Sequence, residues 1–246
     1  MTEPKPIFLF ADSQLLFWKN NECLFLNRIR DCIDQNKNNI KAAYIGASNG
    51  DDPAYFDIFH HAMEQIEIIN CRMIPSKPTT GDIDFLNLSD LILLAGGDVK
   101  KGWNIFMKNG LYKTITERYY EGAVIIGVSA GAVQLGLKGG YYEDNQHNLI
   151  DTFKIVPFII DVHDERNEWE NLKINVKNGN DYCKGFGIPS GGGAIFYPDW
   201  SMEAVRHSLT EVFIENNKVK YSLIIPPKDV NISNLGENAH SKNIKI

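Results

Sequence analysis

Short apolar runs alternate along this chain with stretches whose apolar positions recur every three or four residues, the pattern of strands followed by helices. Ile7-Phe8-Leu9-Phe10 predicts a first strand, and Phe25, Ile29, Cys32 and Ile33 then fall on one helical face. Lys41 to Ile45 predicts a second strand, ending at Gly46. Asp52-Pro53 supplies an N-cap with proline at the first helical position, opening a helix whose expected buried stripe is Tyr55, Phe59, Ala62 and Ile66. Ile68 to Ile74 predicts a third strand with polar Asn70 and Arg72 alternating. Leu91 to Ala95 is continuously apolar, as a strand buried on both faces of a parallel sheet would be. It closes on Gly96-Gly97-Asp98, and a helix with Trp103, Phe106 and Met107 on one side follows. Ala123 to Val128 is the most apolar strand and is expected at the centre of the sheet; after Ser129 a short helix runs to about Leu135, before Gly136.

Beyond Gly136 the alternation loosens. Gly139-Gly140-Tyr141-Tyr142 opens a hairpin or a loop, and Arg166 to Val176 predicts a helix with Trp169, Leu172 and Val176 inward. Gly193 to Tyr197, Glu211 to Ile214 and Val219 to Ile225 read as short late strands. The expected architecture is one α/β domain over residues 1–225, a parallel sheet flanked by helices, with a polar C-terminal tail over 226–246.

Composition narrows the function classes. The chain has 246 residues, 43% hydrophobic and 23% charged, a globular balance. Its net charge of −6 argues against a general nucleic-acid binder, which needs a basic stripe. None of the four cysteines forms a C-x-x-C pair, so a zinc ribbon or redox motif is not expected. The apolar run Ala123 to Val133 is broken by Gly127, Ser129 and Gly131 and cannot span a bilayer. A reduced, cytoplasmic protein with no membrane partner, no metal and no cofactor is the expectation.

The chemistry concentrates at Gly127-Val128-Ser129-Ala130-Gly131, a G-x-S-x-G sequence between a predicted strand and a predicted helix. The turn is sterically crowded, and the two glycines remove side chains that would collide there. The serine hydroxyl then projects above the carboxyl edge of the sheet, beside a helix N-terminus suited to a developing oxyanion. A capping serine at a plain strand–helix junction is the competing reading. Such a hydroxyl needs a base. Of the six histidines, His163 closes an apolar run and precedes a helix, which makes it the first candidate; His147 is the second. Asp144, Asp161, Asp164 and Glu165 are the carboxylates that could orient it, and spacing does not choose among them. Gly96-Gly97 offers close backbone approach, so the Gly97 and Ala130 amides together could form an oxyanion hole.

The order Gly-Gly-Asp, Gly-Val-Ser-Ala-Gly-Ala, Pro-Phe-Ile-Ile-Asp-Val-His with a following Arg, then Gly-Phe-Gly-Ile-Pro, resembles the dipeptidase E and cyanophycinase family of serine peptidases over roughly residues 6 to 215. The resemblance implies a flavodoxin-like parallel sheet akin to class I glutamine amidotransferases. It implies Ser129 as nucleophile, His163 as base, and the Gly97 and Ala130 amides as oxyanion donors. It places Asp144 where dipeptidase E carries its third member, and it implies short peptide substrates, often aspartyl, with Arg166 as a partner for such a carboxylate. The protein would act as a monomer or homodimer.

Two positions depart from that pattern. Asp98 stands where the family usually has asparagine, which disfavours an acidic substrate. Ser190 stands where the cyanophycinase branch has a base-orienting glutamate. Two other functions remain open at this point. One is a non-catalytic binding protein for a peptide or small molecule; the other is an α/β-hydrolase esterase using Asp199 and His207.

Overall fold

The computed structural model describes residues 3–34, 37–144, 146–179 and 183–227; the tail expected over 226–246 lies almost wholly outside them. The elements follow the alternation of the sequence. Strand β1 (Ile7–Phe10) is followed by a small ribbon of β2 (Lys19–Asn20) and β3 (Cys23–Leu24), then helix α1 (Leu26–Asp31). Next come β4 (Lys41–Ile45), α2 (Pro53–Glu64), β5 (Asn70–Ile74), α3 (Thr80–Asn87) and β6 (Leu91–Leu94). Helices α4 (Val99–Lys108) and α5 (Leu111–Tyr120) lead to β7 (Val124–Val128) and α6 (Ala130–Leu135). The second half holds β8 (Lys138–Glu143), β9 (Gln146–Asp151), β10 (Ile159–Val162), α7 (Glu170–Lys177), β11 (Gly185–Ile188), β12 (Gly193–Phe196), β13 (Met202–Val205), β14 (Leu209–Glu215) and β15 (Lys218–Ile224).

Seven strands form the main sheet in the order β13-β12-β1-β7-β6-β4-β5, with β7 at its centre as the apolar run predicts. Strands β1, β7, β6, β4 and β5 are parallel, while β12 and β13 add antiparallel at one edge. The stretch β5-β4-β6-β7 has the 2-1-3-4 part of the flavodoxin order, and β1 takes the place of the fifth strand. The chain therefore switches direction between β4 and β6, where open α/β sheets place ligands outside the carboxyl ends of their strands. Residues of β1 alternate between two cores: Ile7 and Leu9 face the layer of α3 to α6, Phe8 and Phe10 the layer of α1 and α2. A second sheet, β10-β11-β14-β15, packs against α7 through Ile159, Leu172, Val176 and Val212.

Local chemistry accounts for several boundaries. Asp52 caps α2 by accepting from the Ala54 amide, with Pro53 at the first position. Thr79 and Asp82 form a reciprocal capping box at α3. Two expectations need correction. Tyr55 is 52% exposed rather than buried in the α2 stripe. The helix expected over 166–176 is broken: Glu168 and Trp169 take left-handed backbone, separating a 3-10 turn at Glu165–Asn167 from α7. No helix among the described residues is long and apolar enough to cross a membrane.

Candidate active site

Ser129 ends the central strand with φ 50° and ψ −112°, a sparsely populated conformation for a residue with a side chain. Its amide donates to the Phe10 carbonyl at 2.8 Å, and its hydroxyl makes no capping bond to α6. The capping reading of this serine therefore fails, and Ser129 instead lines two cavities. The two motif glycines are required by space. A Cβ at Gly127 would come within 2.7 Å of the Ala132 backbone, and one at Gly131 within 2.2 Å of the Leu94 carbonyl oxygen. Ala130 is the first residue of α6, so its N–H has no acceptor within the helix.

The Gly96-Gly97 turn sits beside this elbow. A Cβ on Gly96 would lie 3.1 Å from the Ser129 Cβ. Gly97 has φ 130° and passes so close to the Ser48 carbonyl that a side chain there would overlap it. The turn is locked from behind: Asp98 donates its amide to the Ser48 carbonyl at 2.9 Å. Fully buried Gln134 on α6 donates to the Ser48 hydroxyl at 3.1 Å and to the Val99 carbonyl at 2.9 Å. One side chain thus ties α6 to the turn that carries Gly97. Asp98 itself caps α4, accepting from the Lys101 amide at 2.7 Å.

His163 comes from the second sheet, immediately after β10, with φ 62° and its amide bonded to the Ile188 carbonyl. The ring lies on the surface, and its Nδ1 faces the Ser190 hydroxyl at 3.4 Å. Ser190 in turn donates its amide to Glu165 Oε1 at 3.3 Å. Burial opposes ionisation of Glu165, yet hydrogen bonds from Ser190 and the backbone, with His163 close by, bring its carboxyl below the ordinary value. The next residue is held too, because Gly191 donates its amide to Asp12 Oδ2 at 2.6 Å.

Ser129, His163 and Gly97 line two cavities that meet at the serine. The first, about 250 Å³, is the more polar of the two and also takes in Val99, Ala130, Val133, Gly140, Tyr142, His147, Asp161, Val162, Asn171 and Asn175. Asp161 lies on β10, two residues before His163. Its Oδ1 accepts from the Val162 amide, its Oδ2 is buried without a partner, and burial pushes its carboxyl up to about 7. Burial also holds the His147 imidazole below its ordinary value. A Cβ at Gly140 would press on His147 Nε2 and both amide atoms of Asn175, so this glycine keeps the cavity open. The second cavity, about 260 Å³, lies on the β4–β6 side over Leu16, Tyr44, Phe59 and Val128.

The structure thus brings Ser129, His163 and Gly97 together around both cavities, with Ala130 at the polar one. Ser129 and His163 share them without a direct hydrogen bond between their side chains. Asp144 is not brought to the ring: it occupies an exposed turn position between β8 and β9 at φ 49°. Arg166 is exposed on the 3-10 turn and lines neither cavity. Asp164 is structural, accepting from the Asn167 side chain and the Asn171 amide. The esterase candidates lie elsewhere, Asp199 bonded to Ser201 and His207 beside Gly192. Sequence reasoning missed Ser190 as a partner of the ring; its signal was the departure from glutamate at that position.

The family model of peptidase family S51 matches residues 9–202. The chain is 26% identical over 94 residues to the uncharacterized peptidase YgaJ of Bacillus subtilis (strain 168), a match spanning 38% of this chain and 41% of that relative's length. The crystal structure of a peptidase from an acI-B1 Actinobacterium superposes with a TM-score of 0.66 at 14% identity, covering 92% of this chain and 96% of that one. A putative peptidase E protein from Listeria monocytogenes EGD-e gives 0.55 at 16% identity, over 89% of this chain and 98% of that one. At these identities the two structures speak for the fold.

Proposed function

Since the chain belongs to peptidase family S51, we propose that it hydrolyses short peptides by acyl transfer through Ser129. The observation that carries this reading is the free hydroxyl of Ser129, held at φ 50° at the end of the central strand and sharing both cavities with His163. The Ser129 oxygen attacks the peptide carbonyl while His163 takes its proton. The tetrahedral oxyanion is met by the amides of Gly97 and Ala130, donors that need no reorganisation when charge develops. Collapse expels the amine, which receives the proton from His163, and water then releases the acyl group by the same route in reverse. The Ser129–His163 hydrogen bond forms when substrate closes the site; such contacts are commonly long before it binds.

Ser190 and Glu165 orient the base. The Ser190 hydroxyl meets Nδ1 and leaves Nε2 for the nucleophile, and Glu165 holds Ser190 in place while supplying negative charge near the imidazolium. This pair takes the part that the family resemblance assigns to Asp144. Aspartyl selectivity is not part of the proposal. Among the described residues no lysine or arginine lines either cavity, and Asp161 is the acidic group facing the polar one.

The test is turnover of a dipeptide and tripeptide panel by wild type and Ser129→Ala, followed by chromatography of the products. Hydrolysis by wild type that falls by at least about 10³-fold in the variant supports the proposal. Equal rates, or no turnover of any peptide, contradict it.

A further inference from the structure

The second cavity has a chemistry unlike that of the first. It opens at the carboxyl ends of β4, β6 and β7, at the switch point of the sheet, and reaches Ser129. Tyr44 and Phe59 form its floor, both buried and 5.5 Å apart between ring centroids. Asn49 and Asp12, two of the polar side chains in the lining, are already engaged. Asn49 donates to the Tyr44 hydroxyl at 2.8 Å and accepts from the Asp52 amide. Asp12 accepts from the Gln14 and Gly191 amides. Away from Ser129 and His163, the surface left for a ligand is therefore mainly apolar.

The first turns of α2 complete it. Tyr55, Ile58 and Phe59 are spaced i, i+3 and i+4, so all three share one helical face. Phe59 is buried, but Tyr55 and Ile58 are 52% and 36% exposed. Part of their apolar surface is thus left open where they line the cavity, and such surface rimming a cavity marks a binding site. At about 260 Å³ the cavity is smaller than the roughly 300–1,000 Å³ of sites for drug-sized ligands, which suits one side chain rather than a whole cofactor.

We propose that this cavity is a specificity subsite that receives a branched aliphatic or aromatic side chain flanking the scissile bond, so that the enzyme prefers leucine- or phenylalanine-type residues at that position. The assignment rests on the peptidase reading, because the occupant must reach the cavity while its backbone lies at Ser129. The more polar cavity on the other side then holds the remainder of the peptide.

Affinity measured without turnover separates the two claims. Ser129→Ala protein is titrated calorimetrically with Ala-Leu, Leu-Ala, Ala-Phe, Phe-Ala, Ala-Gly and Gly-Ala, and the titrations are repeated with Ile58→Asp added. Tyr55→Ala serves as the second variant, and thermal melts monitored by circular dichroism verify folding. In one of the two positions the leucine and phenylalanine peptides are expected to bind at least about 10-fold more tightly than the glycine peptide. The ratio falls towards one in the rim variants. Equal affinities in both positions, no binding of any peptide, or a ratio unchanged in both variants overturns the subsite. A binding ratio seen in Ser129→Ala and lost in the rim variants, together with no hydrolysis of the same peptides by wild type, overturns the peptidase reading and leaves the subsite standing.

Discussion

The two halves of the candidate site are built in different ways. The side of the proposed nucleophile belongs to the main sheet: Ser129 follows the central strand, two glycines make room for α6 against β7 and β6, and buried Gln134 fastens that helix to the Gly97 turn. The base side belongs to the second sheet and its connections. His163 lies at the surface, its contact with Ser190 is 3.4 Å long, and Glu165 reaches Ser190 through an exposed hydrogen bond. One half is over-determined by close packing; the other depends on a few polar contacts in partial reach of water. Changes on the nucleophile side should therefore cost stability, and changes on the base side should cost rate with little effect on stability.

The largest effect expected from that contrast is at Gly131. Gly131→Ala forces a Cβ to 2.2 Å from the Leu94 carbonyl, so α6 or β6 must shift. Urea unfolding should show a loss on the order of 3–5 kcal/mol, or no folded protein. A loss under about 1 kcal/mol would dissolve the contrast.

Asp161 sharpens it next, since it belongs to the base side yet carries a burial cost. Its carboxyl titrates at about 7 in the folded chain, against roughly 3.9 unfolded. Between those values the folded state holds the proton and the unfolded state has released it. Its contribution therefore favours folding below about pH 4 and is lost as pH rises through about 7. Asp161→Asn should be the more stable protein at pH 8, by on the order of 2–4 kcal/mol, with the difference vanishing towards pH 4. Denaturant titrations at several pH values read this directly. A variant less stable than wild type at pH 8 shows instead that the ionised carboxylate has a partner.

Smaller effects fall on rate. Glu165→Gln and Ser190→Ala should each lower kcat by about 10-fold with KM and melting temperature nearly unchanged, because in the proposed mechanism they orient the imidazole without touching substrate. Asp144→Asn, at the exposed turn, should leave kcat within about 2-fold; a loss as large as that of Glu165→Gln would return the orienting role to Asp144. Smallest of all, Arg166→Ala should change kcat/KM by less than about 2-fold on aspartyl and other dipeptides alike, since the guanidinium lines neither cavity.

The same contrast explains what the sequence disclosed. The elbow was legible because its requirements are local: Gly127, Ser129 and Gly131 answer to sterics within a few residues of chain. The Asp52-Pro53 start of α2 and the central place of β7 are likewise written in adjacent residues or in unbroken apolarity. Tyr55 read as core because helical periodicity marks an apolar face without saying whether protein or a cavity lies opposite. The 168–169 break was hidden because left-handed backbone at Glu168 and Trp169 leaves no trace in side-chain type. The partner of His163 was the hardest to see. Glu165 stood among four candidate carboxylates, but its route through Ser190 joins positions 25 residues apart on two connections of the second sheet. Only the fold brings them together.

The activation of Ser129 by His163 is tested most directly by covalent capture. Wild type and His163→Ala are treated with a small fluorophosphonate, the adduct is mapped by peptide mass spectrometry, and its rate of formation is followed. A single adduct on Ser129, forming at least about 100-fold more slowly without the imidazole, is the predicted result. An adduct on another residue, no adduct in wild type, or equal rates in the two proteins would contradict the account.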